Sequence, residues 1–264
     1  MTRVLSGAVL LSFAIIMVWM APPLLFLLVA EVLVVFACRE YEGLARASGL
    51  STPPLVPVAA TMLTVASFAS LTPGFASLLD LVLMTALVAV GAMTLLQWQG
   101  GRDAVGATAA ALFPLLYLGL PIGAMVAVRD ARGPQGLFLL MLTVFSSDTA
   151  QYYTGRAFGR TPLAPVISPK KTIEGAIGGF FCGAAVLALV GHWWLPGVPI
   201  ALRALLGVAV VALGIAGDLF ESMLKRSAGV KDSSALIPGH GGILDRIDAL
   251  LFAAPIYYVV LRYV

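Results

Sequence analysis

Long apolar runs recur along the whole chain, and this feature restricts the fold more than any other. Of the 264 residues, 60% are hydrophobic and only 11% are charged, and the mean hydropathy is +1.00. A soluble domain carries about 25% charged residues, so this chain cannot cover a globular surface with polar groups. The composition excludes an ordinary soluble enzyme and a disordered chain, and the repetition excludes a single anchor on a soluble domain. We expect an all-α, polytopic integral membrane protein.

Turn-forming residues divide the apolar runs into about nine predicted membrane spans, a number that fits about 20 residues per span. The predicted spans are residues 4–20, 23–45, 54–71, 76–97, 105–128, 136–157, 173–194, 201–226 and 244–262. Pro114 and Pro121 predict a kink in the fifth span, and Gly133-Pro134 marks its boundary with the sixth. We therefore divide the chain into an N-terminal part, residues 1–134, with about five spans and a C-terminal part, residues 135–264, with about four.

The lysine and arginine residues are concentrated in one set of connections. If the N-terminus is cytoplasmic, twelve of them lie on the inner side and four on the outer side. The inner group is Arg3, Arg39, Arg46, Arg102, Arg156, Arg160, Lys170, Lys171, Lys225, Arg226, Lys231 and Arg246. The outer group is Arg129, Arg132, Arg203 and Arg262. This asymmetry predicts a multi-pass protein of the cytoplasmic (inner) membrane with its N-terminus in the cytoplasm.

Two features inside the apolar runs are interpreted as structural. Gly175, Gly179 and Gly183 form a stripe of small residues, and packing within the fold is favoured over a dimer contact. Three acidic residues of the N-terminal half, Glu31, Glu40 and Glu42, are left out of the predicted site because the sequence shows no matching cation.

The segment between Gly217 and Asp248 is the most polar part of the chain and contains nine of its 29 charged residues. These are Asp218, Glu221, Lys225, Arg226, Lys231, Asp232, Asp245, Arg246 and Asp248. The first four polar residues are spaced at i, i+3, i+4 and i+7, so on a helix they lie on one face: Asp218, Glu221, Ser222 and Lys225. Asp245 and Asp248 again lie three residues apart, at the cytoplasmic end of the last predicted span. Ionisable groups at membrane depth are costly, so this segment is the candidate functional site.

The chemistry of this cluster favours a metal ion and a phosphate ligand. The last two spans are expected to pack antiparallel, which brings their acidic pairs together. Packed carboxylates repel one another unless a cation lies between them, and hard oxygen ligands select Mg²⁺. The interleaved Lys225, Arg226 and Arg246 suit an anionic ligand, and the combination is typical of phosphoryl chemistry. Salt bridging alone remains an alternative.

Three further segments carry weaker signals. The glycine-rich loop around His240 could present backbone N–H groups to a phosphate. Ser168, Lys170 and Lys171 precede the seventh span, where a helix start attracts anions, although ordinary positive-inside anchoring explains the lysines equally well. Asp148 lies in the cytoplasmic half of the sixth span, and a site role is favoured over an internal hydrogen-bond network.

Residues 222–248 resemble a known family signature. They read Ser222-Met223-Leu224-Lys225-Arg226, then Lys231-Asp232, then Pro238-Gly239-His240-Gly241-Gly242-Ile243-Leu244-Asp245-Arg246-Ile247-Asp248. This segment is similar to the signature of the phosphatidate cytidylyltransferases, also called CDP-diacylglycerol synthases, without departure at any of its 27 positions. Weaker resemblance extends over roughly residues 145–250, and the first half is similar only in hydropathy and span count.

The resemblance implies a membrane enzyme that joins CTP to phosphatidic acid and gives CDP-diacylglycerol and pyrophosphate. It implies Mg²⁺ with a monovalent cation such as K⁺, a homodimer in the lipid bilayer, and no nucleic acid polymer as a partner. Asp218 and Asp245 would be the metal ligands. The residues around the phosphates and substrates would be Lys225, Arg226, Asp245, Arg246, His240, Ser168, Lys170, Lys171, Ser222 and Asp148.

The expected reaction is in-line attack of the lipid phosphate on the α-phosphorus of CTP. Two other functions remain open. One is a related enzyme, such as a polyprenyl or isoprenoid-alcohol kinase or a cytidylyltransferase for another lipid phosphate. The other is a cation-coupled transporter, although such sites lie at the bilayer centre between repeats and no repeat is visible here.

Overall fold

The computed structural model describes residues 2–50, 52–53, 55–69, 78–100, 103–237, 239 and 241–264, with side chains from residue 7 onward. Helices dominate these residues. They are α1 (Thr2–Met20), α2 (Pro23–Ala47), α3 (Leu55–Ala66), α4 (Leu78–Gln97), α5 (Ala104–Pro114), α6 (Leu120–Phe158), α7 (Ile173–Trp194), α8 (Ile200–Ser227) and α9 (Leu244–Tyr263). The predicted apolar runs are therefore mostly helical where the structure describes them, in agreement with an all-α membrane protein.

Length and composition allow some of these helices to cross a membrane on their own. Among the described residues, four helical segments are long and apolar enough: Leu78–Gln97, Ala104–Phe158, Ile173–Trp194 and Ile200–Ser227. Two shorter segments, Gly7–Met20 and Leu55–Ala66, are also apolar. In α2 and α9, ionisable residues such as Glu31 and Asp248 interrupt the apolar sequence. The number of nine spans therefore stays a prediction.

The long segment from α5 to α6 contains two irregularities that the sequence predicts. A π-helical turn, Leu115–Gly119, follows Pro114 and precedes Pro121. The wider turn relieves the clash that a proline ring makes with the preceding helical turn. The helix is thus irregular between the two prolines, and the bend itself stays a prediction. Farther along, Gly133 has φ 72° and ψ 179°, a conformation that breaks α6 ahead of Pro134. The predicted boundary between the fifth and sixth spans lies at this break.

The C-terminal helices form the most extensively packed part of the structure. The largest helix–helix contacts join α6 to α7, α7 to α8, α8 to α9, and α6 to α9. Their shared core includes the fully buried Leu139, Leu187, Val210 and Tyr257. The Tyr257 hydroxyl donates a hydrogen bond to the Gly136 carbonyl oxygen at 2.9 Å, which satisfies its polar group inside the core.

Glycines allow α7 to approach its neighbours closely. A Cβ atom added at Gly175 would lie 2.8 Å from the Gln151 carbonyl oxygen, and one added at Gly179 would lie 2.9 Å from Ser147 Oγ. On α8, a Cβ atom at Gly207 would lie 2.7 Å from the Ala184 Cα. The glycine stripe therefore faces α6 and α8 of the same chain, and the prediction of packing within the fold is confirmed.

A β-hairpin, which the sequence analysis missed, precedes α7. Its strands are β1 (Pro162–Ala164) and β2 (Ser168–Thr172), which pair antiparallel. Thr172 Oγ1 accepts a hydrogen bond from the Gly175 N–H at 3.1 Å and caps α7. The Glu174 carboxylate accepts hydrogen bonds from the N–H groups of Arg160 at 3.0 Å and Thr161 at 3.2 Å. The hairpin is thereby fixed to the first turn of α7.

Arginines connect elements at the opposite end of the bundle. Buried Arg129 donates hydrogen bonds to Val18 O in the last turn of α1, at 2.9 Å, and to Ala21 O between α1 and α2. Arg132 donates to the Leu261 carbonyl oxygen near the end of α9. The hairpin and the loop between α8 and α9 lie at the other end, where the polar side chains collect.

Candidate active site

Lys171 and Asp218 form an ion pair at the hairpin end of the bundle. Lys171 Nζ in β2 lies 2.6 Å from Asp218 Oδ2 in α8. Both side chains are partly exposed, at 22% and 29%, so the pair is accessible to a ligand. The lysine lies two residues before α7, as predicted, and it also belongs to a strand of the hairpin that the sequence analysis missed.

Two more acids face this pair from other helices. Asp148 of α6 interacts electrostatically with Lys171 and Asp218. Asp248 of α9 interacts electrostatically with Asp218 and Asp148. Gln151 Nε2 donates a hydrogen bond to Asp148 Oδ1 at 3.0 Å. Three carboxylates from three helices thus interact with one another, and two of them also interact with Lys171. The excess negative charge favours a bound cation.

Lys225 of α8 joins two acids in the interior. Its ammonium group lies 2.5 Å from Glu221 Oε2 and 2.5 Å from Asp245 Oδ1. Glu221 is fully buried and Lys225 is 8% exposed. A buried carboxylate is tolerated when a cation pairs with it, so the lysine holds α8 and the start of α9 together.

Asp245 is held by the loop that precedes it. Its Oδ2 atom accepts hydrogen bonds from the Ser233 N–H at 3.0 Å and the Gly242 N–H at 2.8 Å. The Ser233 hydroxyl, which Asp245 shares with Glu40, lies 2.8 Å from the same atom. Because Oδ1 contacts Lys225, both oxygens have protein partners. These contacts are those of a group that fixes the loop to α9, and the predicted metal role of Asp245 stays a prediction.

Glu40 of α2 is a buried acid of this region that the sequence analysis left aside. It accepts hydrogen bonds from the hydroxyls of Ser233 at 2.9 Å and Ser234 at 2.7 Å. It also accepts from the N–H groups of Ile243 at 2.9 Å and Leu244 at 2.8 Å. The sequence shows no matching cation for Glu40, because its partners are hydroxyl and backbone groups at least 193 positions away. An acid inside an apolar run was the signal that could have found it.

Three predicted basic residues lie at the exposed side of this end: Lys170, Arg226 and Arg246. Arg226 Nη1 donates a hydrogen bond to the Val230 carbonyl oxygen at 2.9 Å, which orders the end of α8. Exposed guanidinium and ammonium groups beside carboxylates can receive a phosphate ligand.

The other predicted residues are placed as follows. Ser222 Oγ lies 3.5 Å from Asp218 Oδ1, one helical turn along α8. Ser168 begins β2 opposite Ala164. His240 lies outside the described residues, while the neighbouring Gly241, with φ 75°, makes a sharp turn before α9.

The acidic side chains fit an open Mg²⁺ site. Within the described part of the chain, there is no group of three or more His, Cys, Asp or Glu side chains placed to hold a metal ion. Mg²⁺ needs no such enclosure, because it usually takes one or two carboxylates and completes its octahedron with water and substrate phosphates. Asp218 and Asp248 offer two hard carboxylates on adjacent helices, so the donor set fits an ion that arrives with its substrate.

Three relatives of this chain carry the same name. It is 48% identical over 130 residues to a phosphatidate cytidylyltransferase of Haemophilus influenzae, covering 46% of this chain and 45% of the relative. It is 40% identical over 149 residues to a phosphatidate cytidylyltransferase of Aquifex aeolicus, covering 56% and 55%. A third protein of that name, from Thermotoga maritima, is 40% identical over 154 residues, covering 56% and 57%. The chain thus spans about half the length of the curated relatives that it matches.

A family model extends over the rest of the chain. The model of the cytidylyltransferase family matches residues 1–264, which include the N-terminal helices as well as the polar cluster. The relatives and the family model agree with the resemblance of residues 222–248 to the same group. The chain belongs to the cytidylyltransferase family.

Proposed function

We propose that this protein is a CTP:phosphatidate cytidylyltransferase, which transfers CMP from CTP to phosphatidic acid and releases pyrophosphate. Family membership supports nucleotidyl transfer, and the names of the relatives suggest the lipid acceptor. The observation that carries the proposal is the meeting of Lys171, Asp218, Asp148 and Asp248 at one end of a membrane bundle. That combination of cation and carboxylates suits a reaction between two phosphates.

The acceptor needs little activation. A phosphate monoester has a second pKa of about 6, so the phosphate of phosphatidic acid is largely dianionic at neutral pH and can attack without a strong base. The difficulty is repulsion between this phosphate and the triphosphate of CTP. The site must therefore supply positive charge and alignment for in-line attack on the α-phosphorus.

The basic side chains supply part of that charge. Lys170, Arg226 and Arg246 are exposed and can contact incoming phosphate oxygens. Lys225 uses two of its three N–H donors on Glu221 and Asp245, which leaves one donor for a phosphate oxygen. Lys171 can exchange its contact with Asp218 for a substrate phosphate when a metal ion neutralises the acid.

We assign the metal ligands to Asp218 and Asp248. Asp245 is the second ligand in the resemblance, but Lys225 and the N–H groups of Ser233 and Gly242 hold its oxygens in the interior. The Asp218 contact with Lys171 is partly exposed instead, so a ligand can replace it. Asp248 Oδ1 accepts a hydrogen bond from the adjacent Ala249 N–H at 2.7 Å. Asp248 lies close enough to Asp218 for the two carboxylates to repel each other, and a cation between them would relieve this repulsion. Bound Mg²⁺ would neutralise phosphate charge and stabilise the pyrophosphate leaving group. Asp148 stands beside these residues and is the candidate for the monovalent cation, such as K⁺, that the resemblance implies.

The proposal includes a location. Nine spans with an inner N-terminus would place this end of the bundle at the cytoplasmic face of the inner membrane, where CTP is available. The lipid would enter between helices with its acyl chains still in the bilayer. The resemblance also implies a homodimer, which sedimentation of the detergent-solubilised protein would test.

The direct experiment is an assay of the purified protein with labelled CTP, phosphatidic acid and Mg²⁺. We expect CDP-diacylglycerol and pyrophosphate in equal amounts, no product in EDTA, and recovery on adding Mg²⁺. Polyprenyl phosphates and other lipid phosphates are tested in parallel. Turnover of one of these, with none of phosphatidic acid, would replace the proposed acceptor.

A further inference from the structure

The buried carboxylate of Glu40 connects the N-terminal half of the chain to the candidate active site. Glu40 is 6% exposed and lies in α2, whereas its four donors belong to the loop between α8 and α9 and to the first turn of α9. The contacts with Ile243 and Leu244 satisfy backbone N–H groups at the start of α9, which have no partner inside the helix. Glu40 therefore caps α9 from another helix.

The same side chain fixes the loop itself. Ser233 and Ser234 both contact Glu40 through their hydroxyls, at 2.9 Å and 2.7 Å. Gly242 passes so close to Glu40 that an added Cβ atom would overlap the carboxylate. Two parts of the loop, residues 233–234 and residues 242–244, are thus held against one carboxylate.

A continuous series of contacts leads from Glu40 to the basic site. The Ser233 hydroxyl lies between Glu40 Oε2 at 2.9 Å and Asp245 Oδ2 at 2.8 Å. Asp245 contacts Lys225, and Lys225 contacts the buried Glu221. The series crosses α2, the loop, α9 and α8. Moving the loop would change the orientation of Asp245 and, through it, the ammonium group of Lys225.

We propose that Glu40 is a positioning residue for cytidylyl transfer: it holds the loop and the Asp245–Lys225 pair in the geometry that turnover requires. This inference rests on the proposed function. Glu40 does not contact the reacting atoms, and it acts through Ser233, Ser234 and the start of α9. Groups that orient the residues of a site commonly change activity by about 10- to 100-fold when they are altered.

Glu40→Gln tests the proposal with almost no change in volume. The amide retains one acceptor oxygen in place of two, and its NH₂ group cannot accept from the Ile243 or Leu244 N–H. We expect kcat to fall by about 10- to 100-fold, while KM for CTP and KM for phosphatidic acid change by less than about threefold. A loss confined to kcat is the signature of misplaced groups. Rates are normalised to the amount of monodisperse enzyme, so that a smaller folded fraction does not lower the measured kcat.

Glu42→Gln is the matched control. Glu42 is a second buried acid on α2, at 5% exposure, and none of the described loop residues donates to it. We expect this variant to keep kcat within about twofold of the unaltered protein. Equal losses in the two variants would overturn the proposal, because any buried charge change on α2 would then have the same effect.

A double-variant cycle separates positioning from general destabilisation. Ser234→Ala removes one contact with Glu40 from a loop residue and leaves the helices unchanged. If Glu40 acts through the loop, Ser234→Ala lowers kcat in the unaltered protein but has little further effect in Glu40→Gln. Additive losses would overturn the proposal.

Limited trypsin digestion gives a measurement that does not require turnover. Lys231 lies in the loop, so Glu40→Gln should accelerate cleavage after it several-fold, while Glu42→Gln should not. Unchanged cleavage would overturn the inference. An inactive but otherwise normal unaltered protein would instead overturn the proposed function, so the two failures are distinguishable.

Discussion

At the scale of single residues, Lys225 has the most demanding environment of the described site. It lies between buried Glu221 and Asp245, and removal of its charge leaves both acids without an ammonium partner. Breaking a buried ion pair from one side costs about 3–5 kcal/mol, because the remaining charge stays buried. Lys225 therefore combines a structural contact with its proposed contact to phosphate.

We expect Lys225→Met to abolish turnover and to lower the thermal unfolding temperature in detergent. Adding Glu221→Gln should recover part of the unfolding temperature, since it removes one of the unpaired charges, but should not recover activity. Lys231→Met, in the exposed part of the loop, is the control and should be neutral. If Lys225→Met unfolds at the original temperature, the ion pairs contribute no net stability.

The assignment of the metal ligands is a second prediction at this scale. Asp218→Asn and Asp248→Asn should raise the Mg²⁺ concentration for half-maximal activity by about 10-fold or more. Asp245→Asn should lower turnover without this shift, because its oxygens contact Lys225 and the loop. Asp232→Asn, on an exposed residue, is the control. A shift in Asp245→Asn and none in Asp248→Asn would restore the ligand pair implied by the resemblance.

The sequence predicts which polar residues lie at the candidate active site better than it predicts which groups they contact. The spacing of Asp218, Glu221 and Lys225 identifies one helix face correctly, because local periodicity determines it. The partners of Glu40 cannot be predicted this way, since they come from the other half of the chain and are mostly neutral donors. Hydrogen bonds to backbone groups leave no compositional signal.

At the scale of helices, close approach at glycines determines how α7 and α8 pack. Gly207→Ala would place a Cβ atom 2.7 Å from the Ala184 Cα, a backbone atom that cannot turn aside. We expect a loss of about 1–3 kcal/mol, seen as a lower unfolding temperature. Gly91→Ala is the matched control, because no atom lies within 4 Å of its added Cβ in α4. It should be neutral or slightly stabilising; equal losses in the two variants would contradict the packing argument.

The sequence predicts the type of secondary structure correctly where hydrophobic runs are long. The prediction fails where contacts between short segments determine the structure. The break at Gly133 and the π-helical turn after Pro114 are local consequences of glycine and proline. The hairpin before α7 depends instead on Glu174, whose carboxylate holds the N–H groups of Arg160 and Thr161. Its strands are only three and five residues long and each contains a proline, so no alternating pattern marks them.

At the scale of the whole molecule, the charges predict the orientation in the membrane. Cysteine variants Lys231→Cys and Pro196→Cys place a thiol in exposed positions at opposite ends of the bundle, in a Cys182→Ala background. The remaining Cys38 is buried and should not react. With a cytoplasmic active site, a membrane-impermeant maleimide should label Pro196→Cys in intact cells and Lys231→Cys only after lysis. The reverse pattern would contradict the predicted orientation.

The distance along the chain between Glu40 and its donors has a consequence for biogenesis. The Leu244 N–H lies 204 positions after Glu40, so roughly 10 to 40 s of translation separate them at about 5–20 residues per second. During this interval the second helix carries an acid without its final partners, which is costly beside lipid. The emergence of α9 removes that cost. A stalled ribosome or premature stop codon therefore yields a nascent protein with an exposed defect, which chaperones and membrane proteases can recognise.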